Sequence, residues 1–222
     1  MSSNEIFDRN IYNENYFNGN DSFFYRGGYG NNMLFDIYYD FIFKEISEYC
    51  KDIKNGKVLD VGCAYGFMLE RFPESWQKFG MDVSYYAINK ARKRLSSAML
   101  SVGNAERDLH FPQNYFDIIL LNDIVEHLKD PEKALKSAYR ILKKGGIMYI
   151  TTPNLNSVRK KVLHSADKKE HHVSMFPHKE LMALLKKIGF KIERDWTYIN
   201  LGFHLLKFKS NLGIESGFIC KK

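Results

Sequence analysis

From Lys57 onward the chain alternates between short, nearly continuous apolar runs and stretches whose apolar residues recur every three or four positions. The first texture suits strands buried on both faces of a sheet, and the second suits helices packed along one side. "KVLDVG" (57–62), "KFGMDVS" (78–84), "AMLSVGNA" (98–105), "YFDIILLND" (115–123) and "GIMYITTPN" (146–154) predict five strands. Between them the pattern predicts a short helix from Gly66 and a helix over 84–97 with Ser84 as its N-cap. The helix predicted over 130–146 is the best punctuated: Asp130 caps it, Pro131 opens it, and Gly145 and Gly146 stop it. A further helix over 177–190 and closing strands over 191–199 and 217–222 follow, while residues 200–216 show no decisive pattern. Strand–helix alternation of this kind predicts an α/β fold, a parallel sheet with helices on both faces.

Upstream, residues 33–49 carry a broad apolar face at helical spacing and predict a helix. Residues 12–32 are rich in aromatics, Asn and Gly, and read as loop or short helix. The expected organisation is an N-terminal helical extension over 1–50 and an α/β domain over 51–222, with an insert after the fifth strand at 154–177. Hydrophobic residues make up 45% and charged residues 27%, so a core is affordable and global disorder is excluded. No apolar run approaches the roughly 18 residues of a membrane helix, so no transmembrane segment is expected. The polar, acidic start lacks a signal-peptide pattern, and a cytoplasmic location is the expectation. Cys50, Cys63 and Cys220 form no CxxC pair, which argues against a disulfide framework or zinc knuckle and for buried thiols. The net charge of +7 is only weakly clustered, as in "KARKR" (90–94), and reads first as a solvated lysine-rich surface.

Ligands of such sheets bind beyond the carboxyl ends of the strands. The first strand ends "VLDVGCAYGFMLE", with Asp60 two residues before Gly62 and Gly66 four after that. Glycines there permit a tight turn and close approach of a ligand to the backbone. The dinucleotide spacing GxGxxG is absent. Asp82 ends the second strand, where a carboxylate can accept both hydroxyls of a ribose or simply favour a helix N-terminus. The third strand ends "GNAE" (103–106) and the fourth "LLND" (120–123).

Taken in order, "VLDVGCAYG", "GMDVSYYAINKAR" and "GNAERDLHFPQNYFDIILLNDIVEHLKDPEKALKSAYRILKKGGIMYITTPN" resemble the motifs of class I S-adenosylmethionine-dependent methyltransferases, over roughly residues 50–200. The segment "HHVSMFPHKELMALLKKIGF" (171–190) is similar to the ubiquinone-pathway and sugar O-methyltransferase branch. The resemblance implies a Rossmann-like fold with a seven-stranded, mostly parallel sheet, one antiparallel strand, helices on both faces and an N-terminal aromatic helical lid. It also implies a cofactor site. Gly62, Ala64 and Gly66 would line the methionine part, with Asp60 near its amino group and Asn122 flanking it. Asp82 would bind the ribose hydroxyls, and Asn104 and Ala105 would sit at the adenine edge. Val83, Glu106 and the lid residue Tyr25 complete the expected set. Ala64 stands where the family often has glycine and Asn104 where it often has aspartate, whose acceptor role an amide carbonyl can fill.

"LLNDIVEHLKDP" (120–131) carries Asp123, Glu126 and His127, and three readings stay open. Asp-x-x-Glu can be a capping box at a helix start, with His127 packing locally. His127, His171 or His172 can act as a general base toward a hydroxyl. The pattern also resembles the Glu-x-x-Glu-His of metal-using O-methyltransferases, in which case Asp123, Glu126 and His127 would hold manganese or iron, with His171 or His172 completing the set. Tyr12, Tyr16, Phe17, Tyr25 and Tyr29 are the expected lid, and with the insert they would form the acceptor side. The expected function is methyl transfer from S-adenosylmethionine, leaving S-adenosylhomocysteine, to an oxygen of a small molecule such as a sugar, a quinone-like phenol or a natural product. The alternatives are an RNA 2'-O-methyltransferase, which the basic charge favours, and a non-catalytic S-adenosylmethionine-binding protein.

Overall fold

The computed structural model describes residues 11–23, 27–30, 33–107, 109–201, 205–209 and 211–222. Five strands, β1 (Lys57–Val61), β2 (Gln77–Asp82), β3 (Met99–Val102), β4 (Phe116–Asn122) and β5 (Leu142–Pro153), run parallel. Three more, β6 (Lys191–Asn200), β7 (Leu205–Phe208) and β8 (Glu215–Lys221), join by antiparallel pairing to give the order β3-β2-β1-β4-β5-β8-β6-β7.

Among the described residues the sheet therefore has eight strands, with β7 and β8 running against the rest, rather than seven with one reversed. The added strand is β7, an edge strand with no fully buried residue. A strand that packs so little has no reason to carry an apolar signature, which is why residues 200–216 were illegible.

Helices α1 (Glu14–Phe17), α2 (Met33–Cys50), α3 (Phe67–Glu70), α4 (Tyr85–Arg94), α5 (Pro131–Ile141), α6 (Ser157–Val162), α7 (His164–Lys169) and α8 (His178–Ile188) cover the sheet. Successive strand residues point to opposite faces, so each apolar run feeds two cores. Leu59, Ile119, Leu121 and Met148 pack with Leu135 and Ala138 of α5 and Leu181 and Leu185 of α8. Their immediate neighbours Val58, Ile118, Leu120 and Ile147 pack on the other face with Ile42 and Ile46 of α2, Leu69 of α3 and Ile88 of α4. Cys50, Cys63 and Cys220 are free and buried. No helix among the described residues is long and apolar enough to cross a membrane.

Local chemistry sets the boundaries. The Ser84 hydroxyl accepts the Ala87 N–H at 3.1 Å, and the Asp130 carboxylate accepts the Lys133 N–H at 3.0 Å, as N-caps do. The end of α5 differs from expectation. It stops at Ile141, and the fully buried Leu142 already belongs to β5. Gly145, at φ +78°, falls within that strand near a register shift between Phe116 and Ile118, so the glycines kink a strand instead of ending a helix.

Strand order reverses between β1 and β4, which opens a crevice at their carboxyl ends. The chain leaves β1 through Gly62 at φ +79°, where the Gly62 and Cys63 amides both donate to the Met81 carbonyl, at 2.7 and 3.0 Å. A Cβ on Gly62 would lie 1.9 Å from Cδ1 of Ile124. Gly62→Ala is expected to destabilise the fold by about 1–3 kcal/mol, from left-handed backbone strain and displacement of Ile124. Thermal unfolding should register this as a Tm lower by about 2–4 °C per kcal/mol, and an unchanged Tm would show the turn to be slack.

Candidate functional site

A cavity of about 470 Å³ fills the crevice. Its floor is the strand ends: Asp60, Gly62 and Ala64 after β1, Asp82 and Val83 after β2, Asn104, Ala105 and Glu106 after β3, and Asn122 and Asp123 at the end of β4. Tyr12, Tyr16, Phe17 and Tyr29 of the N-terminal segment, together with Tyr38 and Tyr39 of α2, wall one side. Lys168, His171, His172 and Val173 of the insert close another. Gly66 is not part of the wall. It heads α3 at φ +80°, and a Cβ there would press on Leu95 at 2.5 Å, so its place is in the turn and its packing. Tyr25 lies outside the described residues.

At the β1–β2 end the site is acidic and dry. The Asp82 carboxylate accepts the Ala64 N–H at 2.9 Å and the Ser84 N–H at 2.8 Å. Burial still raises its pKa against the lowering effect of those amides. Asp60 is only 3% exposed, and burial, with the nearby Asp82 charge, pushes it up to about 8. Among the described residues no hydrogen bond steadies its charge. Both amide atoms of Asn122 are buried without a partner. A buried polar group left unpaired costs roughly 1–3 kcal/mol, so polar groups of a ligand could pair with Asp60 and Asn122 here. Asn104 accepts the Glu106 N–H at 2.8 Å. Glu106 braces the entry to α5 by accepting the Asp130 N–H at 2.9 Å and the Lys129 N–H.

The other end is built around Asp123, Glu126 and His127, and here the capping box is absent. Val125–His127 form a single 3-10 turn that begins after Asp123, itself at φ +52°. Asp123 accepts the Tyr38 hydroxyl at 3.3 Å. Glu126 is 1% exposed and accepts the Thr152 hydroxyl at 2.9 Å. Burial, and then the Asp123 charge, hold Glu126 well above the carboxylate range. His127 is pushed down to about 3, by burial first and by His172 second, while a hydrogen bond with the His171 backbone pulls the other way. Its Nδ1 lies 2.9 Å from the Tyr12 hydroxyl. The His172 ring sits against the His127 ring, centroids 4.9 Å apart, with its own Nδ1 3.0 Å from Asp167. His171, at φ +59°, turns the chain between α7 and this pair. Ligating atoms of Glu126, His127 and His172 lie within 4.8 Å of one another, and Asp123 is not part of that group.

Sequence reasoning missed several contributors. Tyr38 and Tyr39 look like ordinary members of an apolar helix face. Arg159 looks like one more cation in "VRKK", yet it is fully buried between Asp167 and Glu215. Glu170, in the charged run before His171, is buried and accepts the Tyr16 hydroxyl at 2.8 Å, the Ser22 hydroxyl at 2.7 Å and the Phe23 amide. No periodicity distinguishes a buried ion pair in a loop-rich insert from a solvated one.

Comparison with known proteins bears on what this cavity takes. The methyltransferase-domain family matches residues 36–194. An uncharacterized protein of Methanocaldococcus jannaschii is 29% identical over 151 residues, 66% of this chain and 70% of the other. The ubiquinone biosynthesis O-methyltransferase of Pelagibacter ubique is 34% identical over 107 residues, and this chain spans only 45% of its length. Among solved structures, a SAM-dependent methyltransferase from Thermotoga maritima shares the fold with a TM-score of 0.63 at 22% identity, covering 84% of this chain and 98% of its own. A Pyrococcus horikoshii protein superposes with a TM-score of 0.66 at 21% identity, over 86% and 92% of the two chains. The family match takes in every strand end that builds the cavity floor, and the chain accordingly belongs to the class I S-adenosylmethionine-dependent methyltransferases.

Proposed function

We propose that this protein transfers a methyl group from S-adenosylmethionine to an oxygen of a small hydroxylated molecule. The observation that carries the reading is a single cavity in which strand-end acids face one end and the His172 ring the other. Asp60 would take the amino group of the methionine part, Asn122 its neighbouring polar atoms, Asp82 the ribose hydroxyls and Asn104 the adenine edge. The Asp60 carboxyl and the Asn122 amide, which have no hydrogen-bond partner among the described residues, fit that group. When bound, it supplies a methyl group already activated on a sulfonium.

The chain's own part is to align the acceptor, exclude water and take a proton. His172 suits the proton better than His127, whose basicity burial has suppressed to about 3. An aromatic cover over a cavity of about 470 Å³ supports a small acceptor over a polynucleotide. The ubiquinone-pathway relative supports oxygen as the atom methylated. The N-terminal extension and the insert together would form the acceptor side.

A metal-assisted variant has one observation in its favour, the grouping of Glu126, His127 and His172. A carboxylate with two imidazoles would suit manganese or iron, which would add Lewis acidity at the acceptor hydroxyl. The fit demands that His127 give up its bond to the His171 backbone. If this variant holds, MnCl₂ added after chelation will restore activity, and Glu126→Gln will lose the effect; full activity in EDTA would end it.

Two measurements test the main reading. Incubation with methyl-tritiated S-adenosylmethionine and panels of phenols, sugars and RNA should label the small hydroxylated compounds only. His172→Ala should then lower turnover by about 10²-fold or more while leaving S-adenosylhomocysteine affinity intact. Label in RNA, or an undiminished His172→Ala, would refute it.

Protonation of Asp60 adds an independent check. Its pKa of about 8 lies above the unfolded value of about 4, so the fold holds a proton that the unfolded chain releases. Stability from this group is therefore lost as pH rises from about 4 toward 8. An ammonium placed beside Asp60 favours its ionised form, so ligand binding at pH 7 should expel up to about one proton. Calorimetry with S-adenosylhomocysteine in buffers of different ionisation enthalpy reads this directly. Asp60→Asn should abolish the proton release, and an unchanged release would assign it to another group.

A further inference from the structure

We propose that Asp167 is a positioning residue that fixes the ring orientation and tautomer of His172, held in place by the buried Arg159. The proposal rests on the reading of His172 as the group that meets the acceptor, and it concerns what makes that ring usable.

Arg159 is fully buried and donates three ways. Its Nη2 reaches Asp167 Oδ1 at 2.6 Å, with Nε straddling both Asp167 oxygens at 3.1 and 3.2 Å. Its Nη1 reaches Glu215 Oε1 at 2.6 Å and the Ile214 carbonyl at 2.9 Å. The Asn156 side chain caps α6 at the Arg159 amide, at 2.9 Å, and its own amide donates to the Gly213 carbonyl at 2.8 Å. The insert is thereby anchored to β8 and to the strand's approach, a rigid part of the sheet.

Asp167 Oδ1 also meets His172 Nδ1 at 3.0 Å. A carboxylate clamped by a guanidinium stays ionised and can only accept. Nδ1 of His172 must then carry the hydrogen, and in the neutral ring Nε2 is left with its lone pair, on a ring that lines the cavity. Three main-chain bonds complete the restraint. The His172 N–H donates to the Asp167 carbonyl at 3.1 Å, and the next two amides, of Val173 and Ser174, donate to the Glu126 carbonyl at 2.8 and 2.9 Å. The arrangement has the logic of an acid that orients a histidine without itself reacting.

The test is a long-range ¹H–¹⁵N spectrum of the full chain labelled with ring-¹⁵N histidine, in EDTA and saturating S-adenosylhomocysteine. His172 is identified by the signals lost in His172→Gln. Wild type should show His172 protonated at Nδ1 with a bare Nε2. Asp167→Ala should convert it largely to the Nε2–H form, whereas Asp167→Asn, whose carbonyl can still accept at the Oδ1 position, should retain the wild-type pattern. A wild-type His172 protonated at Nε2 overturns the proposal, as does a folded Asp167→Ala that keeps the Nδ1–H pattern. Should Asp167→Ala fail to fold by circular dichroism, the wild-type spectrum with Asp167→Asn decides alone. The readout needs no acceptor, so it stands apart from the methyl-transfer assay. A wild-type spectrum as expected, beside an absence of oxygen methylation, would refute the acceptor reading and leave this role intact.

Discussion

A buried carboxylate between two strand ends sets the geometry of the whole site. Asp82 takes the Ala64 amide on one side and the Ser84 amide on the other. Ala64 sits at φ +44°, a conformation a non-glycine residue holds only when its surroundings insist. The bond from Ala64 to Asp82 helps to supply that insistence, and the paired donation of Gly62 and Cys63 to the Met81 carbonyl supplies more. The turn after β1 is thus fixed by the end of β2. The same residue passes the restraint on, because the Gly103 amide donates to the Asp82 carbonyl at 2.9 Å and so sets the end of β3. Three strand ends share one anchor, and the cavity floor they form is held by hydrogen bonds within the protein itself.

The insert after β5 is held by a different kind of force. Its elements are short, α6 and α7 having six residues each, and helices of that length have little stability of their own. What holds them is the buried chain of polar contacts from Glu215 through Arg159 to Asp167 and the His172 ring. Buried ion pairs contribute little net stability over well-packed apolar residues, but losing one partner strands the others at a cost of about 3–5 kcal/mol. Such a network buys specificity of position, which an insert with few apolar contacts cannot get from packing.

This division explains what the sequence made legible. Strand ends speak through apolar runs that stop at Gly62, Asp82, Asn104 and Asn122, since a doubly covered strand must be apolar and a turn must be small or polar. The floor could be read residue by residue for that reason, with Gly66 the exception, because spacing alone does not tell a glycine that faces a ligand from one that faces Leu95. The insert offers no such grammar. Asp167 and Arg159 differ in no sequence property from their solvated neighbours Lys168 and Lys160; only the fold, bringing β8 beneath α6, buries them. Asp123 and Glu126 misled for a related reason. Their spacing fits a capping box, but Glu126 is drawn under the turn by Thr152, a residue 26 positions away on β5 that local pattern cannot weigh.

The aromatic cover ties these two halves together and is attached to both: its hydrogen bonds run toward the insert, while Phe17 and Tyr29 pack on Tyr65 beside the turn after β1, with ring centroids 5.3 and 5.0 Å apart. Tyr12 meets His127, and Tyr16, Ser22 and the Phe23 amide converge on Glu170. The burial of Tyr16 and Phe17 adds to these bonds in holding the segment down. Because the cover is bonded to Glu170 and His127 and packed on the turn after β1, a displacement at either end of the cavity bears on it. The segment thus couples the strand ends to the insert, two regions that share no strand pairing and are otherwise held by separate sets of bonds.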